Sequence, residues 1–269
     1  MTITSRLDAE LVHRGLARSR ALARELIDGA HVHVDGTLVT KPARPVTESS
    51  VIEVDIEQPR WVSRAAAKLD GAFGVFAGLS STGKRCLDVG ASTGGFTQVL
   101  LERGAASVIA LDVGHGQLVP EIAADSRVTE LSGTSVRGLE AEAIGGVVDL
   151  LVADLSFISL RLVLGTFRTL LAPSGDALVL VKPQFEVGRE RLGRTGVVRS
   201  AEQREEVVLA VATEAMTRGF GLRGVATSPL RGGEGNTEFL LWLGPPDADG
   251  PSWESFRQTV HSLVEGGNP

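Results

Sequence analysis

Two lysines and two carboxylates, Lys68, Asp154, Lys182 and Glu238, are spread over the later part of a 269-residue chain. Each falls at the edge of a segment whose pattern predicts a strand or a helix. All four surround one Gly-rich loop, Asp88-Val-Gly-Ala-Ser-Thr-Gly-Gly-Phe96. Such a set suits removal of a proton from a poorly nucleophilic hydroxyl while an electrophile arrives. One lysine takes the proton as general base, a second ammonium favours its neutral form, and carboxylates orient it while opposing that shift. On this reading Lys182 is the base, Lys68 the neighbouring ammonium, Asp154 the orienting group, and Glu238 holds Lys68 or a substrate hydroxyl. Any one of the four alone would read as a strand-end charge in a surface ion pair; four around one loop do not.

The loop itself needs backbone to approach a ligand closely, which side chains at Gly90, Gly94 and Gly95 would block. Asp88 ends one predicted strand and Asp112 the next, where a carboxylate can meet ribose hydroxyls. NAD and S-adenosylmethionine both satisfy this much. The spacing Asp-x-Gly-x-x-x-Gly-Gly departs from the Gly-x-Gly-x-x-Gly of dinucleotide binders and suits a ligand without a pyrophosphate. Asp154-Leu-Ser-Phe157 and Lys182-Pro-Gln-Phe185 add strand-end charges that hydride transfer does not require. The expected cofactor is therefore S-adenosylmethionine, with contacts from Asp88, Gly90, Ser92, Thr93, Gly94, Gly95, Phe96, Asp112, Val113 and Asp154.

Positioning these groups calls for an α/β fold. A helix is expected over 64–79, strands near 85–90, 107–113, 128–132, 148–154 and 176–182, and helices over 95–103, 159–171 and 201–218. The last two strands, about 221–228 and 237–243, have no helix between them and should be antiparallel. A final helix is expected over 253–264. The sum is a doubly wound, Rossmann-like sheet with a reversed last strand. In that sheet the first, fourth and fifth strands lie side by side, which sets Asp154 beside Lys182.

Residues 1–58 read as a separate small α+β unit, 59–63 as a linker and 64–269 as the larger domain. The net charge of −6 argues mildly against non-specific nucleic-acid binding, but residues 1–45 carry seven Arg or Lys against five acids. Leu7, Leu11 and Val12 share a helical face that Gly15 ends, Ser19 can cap a second helix over 20–28, and Asp35-Gly36 suits a type I′ hairpin turn. A strand over 51–56 closes the unit. Arg6, Arg14, Arg18, Arg20 and Lys41 would then line a surface for phosphates. The order of charges, helix stops and turn over Arg6-Leu-Asp8, Arg14-Gly-Leu-Ala-Arg-Ser-Arg20, Gly29 and Val32-His-Val-Asp-Gly36 resembles the S4 RNA-binding domain. RNA held mainly by backbone and shape should make its affinity salt-sensitive.

The single cysteine, Cys86, lies in an apolar strand and can build neither a disulfide framework nor a zinc site. The five histidines show no metal-ligand spacing, so no metal is expected. No signal peptide or run of about 18 uncharged apolar residues appears, and the expectation is a soluble, cytoplasmic protein.

With Arg60-Trp-Val-Ser-Arg64, Asp112-Val-Gly-His-Gly-Gln-Leu118, Asp154-Leu-Ser-Phe-Ile-Ser159, Lys182-Pro-Gln-Phe-Glu186 and Gly235-Asn-Thr-Glu-Phe-Leu240 added, nearly the whole chain resembles the TlyA family. The resemblance implies an FtsJ-like 2′-O-methyltransferase acting on cytidines of 16S and 23S ribosomal RNA, in a family also labelled haemolysin. It carries that family's Lys-Asp-Lys-Glu tetrad onto Lys68, Asp154, Lys182 and Glu238. His115 departs from the family, where relatives often carry Tyr. Phe157 and Trp61 are the aromatic faces on which a flipped base could stack. Two other classes remain: a membrane-active haemolysin, which needs an exposed amphipathic or spanning segment that the sequence does not show, and an RNA-binding ribosome-assembly factor without methyl transfer, which the intact tetrad opposes.

Overall fold

The structure is a computed structural model that describes residues 4–17, 19–55, 60–188, 190–193, 195–233, 235–246 and 249–266. The chain divides into two compact units, residues 1–60 and 61–269.

In the smaller unit β1 (Thr4–Arg6) runs into α1 (Leu7–His13), and Gly15 leaves the helix with φ +70°. The Ser19 hydroxyl accepts a hydrogen bond from the Leu22 amide at 3.2 Å and so caps α2 (Arg20–Asp28), as expected. β2 (Val32–Val34) and β3 (Thr37–Leu38) form the hairpin, with Asp35 and Gly36 both at positive φ, as a type I′ turn demands. β4 (Pro45–Thr47) pairs with β1, and β5 (Ile52–Val54) pairs with β2, both antiparallel. The β1–β4 pair was not expected; three residues are too few to display an alternation. Leu7, Leu11, Leu26, Ile27, Val32 and Val34 form the core of this unit.

The larger unit begins with Trp61, partly buried against the sheet, and Val62, whose amide donates to Gln98 Oε1 at 2.8 Å. These two residues of the expected 59–63 linker are thus held by the larger unit, and Pro59 lies outside the described residues. α3 (Ala66–Val75) is shorter than the expected 64–79, although Phe76 and Leu79 beyond it are still buried. Then come β6 (Arg85–Val89), α4 (Gly95–Glu102), β7 (Ser107–Leu111), a short α5 (Pro120–Ala123), β8 (Val128–Leu131) and β9 (Val148–Ala153). The helix expected over 159–171 is a 3-10 turn at Leu160–Leu162 followed by α6 (Leu164–Leu170). β10 (Leu171–Val181) starts five residues earlier than its pattern suggests, with a register shift between Leu171 and Asp176 that hides the alternation. The chain closes with α7 (Pro183–Glu186), α8 (Ala201–Thr217), β11 (Gly221–Thr227), β12 (Phe239–Gly244) and α9 (Trp253–Glu265).

The seven strands lie in the order β11-β12-β10-β9-β6-β7-β8, and β12 is antiparallel to both its neighbours. The period-two rule divides the sheet's side chains between two cores. Leu87, Val89, Val179, Val181 and Leu241 meet α6, α8 and α9 on one face. Cys86, Val152, Leu178, Leu180 and Leu240 meet α3 and α4 on the other. Burial pushes the Cys86 thiol up to about 12, so it behaves as a small apolar side chain.

Candidate active site

Between β6 and α4 the chain turns with three positive φ angles, at Gly90 (87°), Ser92 (47°) and Gly94 (96°). A Cβ on Gly90 would lie 2.9 Å from the Asp154 carbonyl oxygen, so glycine is required where this turn passes the end of β9. Ser92 holds its unusual backbone because its amide donates to Asp112 Oδ2 at 2.8 Å, while Asp112 Oδ1 accepts from the Gly114 amide at 2.8 Å. One carboxylate at the end of β7 thereby ties two loops together.

These loops enclose a cavity of about 510 Å³ with Gly90, Ser92, Asp112, Val113 and Asp154 in its wall. A second hollow, of about 240 Å³, shares Gly90, Ser92, Asp154 and Ser156 with it and adds Thr93, Phe96 and Lys182. Gly94 and Gly95 line neither; they start α4. Asp88 lies below the loop and is fully buried, its Oδ2 accepting from the Thr97 hydroxyl at 2.7 Å and its Oδ1 without a partner. Burial is the main cause that pushes Asp88 up to about 7, against the Thr97 hydrogen bond.

The four charged residues converge. Asp154 follows β9 and Lys182 follows β10, two paired parallel strands. β12 runs the other way, with Phe239 opposite Val181, so Glu238 just before it arrives at the same edge. Lys68 comes from the first turn of α3. Lys68 Nζ lies 2.6 Å from Glu238 Oε2 and 3.6 Å from Asp154 Oδ2. Asp154 Oδ1 lies 2.6 Å from Lys182 Nζ, a close ion pair without the alignment of a hydrogen bond, and Lys182 Nζ donates to the Ser156 hydroxyl at 3.0 Å. The result is an alternating chain, Glu238–Lys68–Asp154–Lys182, with side chains between 2% and 13% exposed. Equal numbers of opposite charges reduce the cost of holding ions away from water. Asp154 sits between the lysines, so their ammonium groups are bridged by a carboxylate instead of facing each other. Ser156, unforeseen in the sequence, is signalled by its place two residues beyond Asp154 on the same strand-end loop.

Around this centre, Phe157 is 92% exposed and has φ +65°, a costly conformation for a bulky residue, and its ring lies 5.2 Å from that of Phe185. Trp61, by contrast, packs against the core. Glu186 is buried and accepts from the Ser159 hydroxyl and the Leu160 amide, both at 2.6 Å; burial raises it above the usual carboxylate range. Asn236 is 1% exposed, and its side chain accepts from the Val198 amide and donates to the Gly196 carbonyl, both at 2.9 Å. It braces the loop after residue 194.

In the small unit Asp8 is fully buried and gathers three guanidinium groups, Arg6 at 2.9 Å, Arg20 at 3.2 Å and Arg24 at 3.3 Å, each about half exposed. They hold its carboxyl well below the usual range, the Arg6 hydrogen bond most of all. Arg24, which the sequence reading did not single out, completes this cluster around Asp8; its position four residues after Arg20 on α2 is the signal that could have found it. Arg14 departs from expectation: its guanidinium pairs with Glu10 at 2.8 Å and donates to the carbonyls of Ser50, Thr47 and Glu48, so it staples α1 to the β4–β5 turn. Lys41 is exposed. Arg18 lies outside the described residues. Among the described residues no cluster of three or more His, Cys, Asp or Glu could hold a metal ion, and no helix is long and apolar enough to cross a membrane.

Comparison with known proteins agrees with this architecture. The FtsJ-like methyltransferase family matches residues 61–245 and the S4 domain matches residues 5–52. The chain is 49% identical to the 16S/23S rRNA (cytidine-2′-O)-methyltransferase TlyA of Mycobacterium tuberculosis, over 99% of this chain and 100% of that protein. It is 36% identical to Hemolysin A of Brachyspira hyodysenteriae, over 87% of this chain and 98% of that protein. A solved structure described as a candidate hemolysin from Streptococcus thermophilus superposes with a TM-score of 0.74 at 34% identity, covering 99% of this chain and 96% of that one. Full-length similarity, both matched domains and the shared fold lead to one conclusion: the chain belongs to the TlyA family of FtsJ-like methyltransferases.

Proposed function

We propose that this protein methylates the ribose 2′-hydroxyl of cytidine in 16S or 23S ribosomal RNA, with S-adenosylmethionine as donor and Lys182 as general base. The observation that carries the reading is the buried chain Glu238–Lys68–Asp154–Lys182, whose member Asp154 also lines the larger cavity. Relatives of the same length are named for this reaction.

The cavity suits the donor. Its volume is in the range of small-molecule sites, the Gly90 turn brings backbone to its wall, and Asp112 stands where a carboxylate can accept from ribose hydroxyls. S-adenosylmethionine, when bound, supplies an electrophilic methyl group on a sulfonium. The protein's part is to hold the 2′-hydroxyl in line and to take its proton. Lys182 Nζ acts in its neutral form, after its ammonium proton has passed to solvent, and accepts the hydroxyl proton; Asp154 and Ser156 fix where Nζ points, and Lys68, itself held by Glu238, holds the other oxygen of Asp154. The exposed Phe157 ring offers a stacking face for the target base. Residues 1–58 serve as the RNA-binding module, through Arg6, Arg20, Arg24 and Lys41. Work on ribosomal RNA sets the protein in the cytoplasm.

Transfer of labelled methyl to isolated ribosomal subunits, with modified positions mapped by reverse-transcriptase stops, tests the function. Lys182→Ala should lower kcat by about 10²–10⁴-fold while donor affinity, read by titration calorimetry, stays near wild type. Near-normal turnover in that variant would remove Lys182 from the role of base.

A further inference from the structure

We propose that a second pocket, lined by Arg199, Arg204 and Arg231, is a phosphate site that grips the RNA backbone beside the target nucleotide; this rests on the RNA-methylating reading above. The cavity measures about 380 Å³ and is completed by Val197, Val198, Gly235 and Thr237. Three arginines thus line one hollow whose described lining contains no carboxylate. The chain resolves the same problem differently in its small unit, where Arg6, Arg20 and Arg24 converge on the buried Asp8. Converging cations without a protein counter-ion repel one another, and an anion from outside relieves that repulsion.

The pocket is built, not a chance meeting of surface side chains. Asn236 welds its two walls by binding the Val198 amide and the Gly196 carbonyl. Arg204 is fixed by donating to the carbonyls of Arg199 at 2.9 Å and Val264 at 3.0 Å, while its Nε is buried without a partner. Ser200 caps the 17-residue α8 directly after Arg199, so the positive end of that helix dipole adds to the guanidinium charges. Arg199 and Arg231 are exposed, and the Arg231 guanidinium donates to the Gly235 carbonyl at 3.4 Å. The nearest acid in the first turn of α8, Glu202, is bonded to the Ser200 hydroxyl.

Its position ties it to the reaction. Thr237 in the pocket wall immediately precedes Glu238 of the ionic chain. The Arg231 carbonyl accepts a hydrogen bond from Arg64, which lines the hollow that holds Lys182. A strand whose ribose enters beside Lys182 would carry an adjoining phosphodiester toward these arginines. Arg is the suited residue, because its planar fork meets two phosphate oxygens at once.

The test is the double variant Arg199→Gln/Arg231→Gln, which leaves the structural Arg204 in place. Binding to a 16S or 23S ribosomal RNA transcript is measured at several KCl concentrations, with methyl transfer followed in parallel. Loss of one phosphate contact should make the slope of log affinity against log salt shallower by about 1. KM for RNA should rise about tenfold or more, with kcat within about twofold and donor affinity unchanged. The variant Arg199→Lys/Arg231→Lys should keep most of the slope. An unchanged slope and KM in the Gln variant, beside a wild type that binds and methylates RNA, would overturn the phosphate site alone. A lowered melting temperature with an unchanged slope would do the same by showing a purely structural role. A wild type that neither binds nor methylates RNA would overturn the functional reading and the pocket with it.

Discussion

Replacing Lys68 by Met removes the partner of a carboxylate that has nowhere else to go. Glu238 is 2% exposed and its Oε2 lies 2.6 Å from Lys68 Nζ, with no other side-chain cation at pairing distance among the described residues. Breaking one side of a buried pair costs about 3–5 kcal/mol, most of it the unpaired ion left behind. Exchanging both partners for apolar groups of similar volume is near neutral by comparison. The expected pattern is therefore a strongly destabilised Lys68→Met, a strongly destabilised Glu238→Leu, and a double variant far more stable than the sum of the two. The coupling should reach about 2–3 kcal/mol. Asp154 softens the loss of Glu238, because it still lies 3.6 Å from the Lys68 ammonium left behind, but as an anion it gives no relief to the Glu238 left by loss of Lys68. Urea unfolding followed by tryptophan fluorescence reads the right part of the molecule, since Trp61, Trp242 and Trp253 all lie in residues 61–269. Additive single losses, or a Lys68→Met cost below about 1 kcal/mol, would show that the pair behaves like a solvated surface bridge and that the site is not dry.

Asp88 has its acid form favoured in the fold, chiefly by burial, with a pKa of about 7 against the lower value of an unfolded chain. Its contribution to stability is full below about pH 4 and is lost as pH rises through about 7, so the stability gain of Asp88→Asn over wild type should grow between pH 4 and 8; a pH-independent difference would contradict this. Arg14→Ala should speed amide exchange around Thr47–Ser50 without changing the salt slope of RNA binding, because its guanidinium is spent on carbonyls there. Arg20→Glu should lower RNA affinity and flatten that slope, and equal slopes for the two variants would erase the distinction. Phe157→Ala should leave stability within about 0.5 kcal/mol, since the ring is exposed, and weaken productive RNA binding by about 1–3 kcal/mol through lost stacking; unaltered kcat/KM for RNA would exclude a stacking role.

Much of the architecture was legible in local pattern. The apolar runs 108–111 of β7 and 150–153 of β9 are continuous because both faces are covered, and Ser19 and Asp35-Gly36 announce a cap and a turn by chemistry that needs no neighbours. Where reading failed, a non-local cause is identifiable. β1 and β4 exist because each pairs with the other over three residues. The start of β10 is hidden by its register shift. Arg14 looked like a phosphate ligand because composition records a charge but not the carbonyls it will meet.

The amino-acid sequence by itself determined the chemistry available: two ammonium groups, two carboxylates, a glycine turn that only small residues permit, and arginines concentrated near the start. Tertiary structure alone decided which of them act together. β12 enters the sheet between β10 and β11 and runs backwards, so the start of that strand reaches the edge where parallel strands end. That reversal brings Glu238 to Lys68 across 170 residues of chain. The order of alternation, with Asp154 between the lysines, is likewise a property of packing. Distances between charges depend on strand order and direction, and neither is carried by any local stretch of residues.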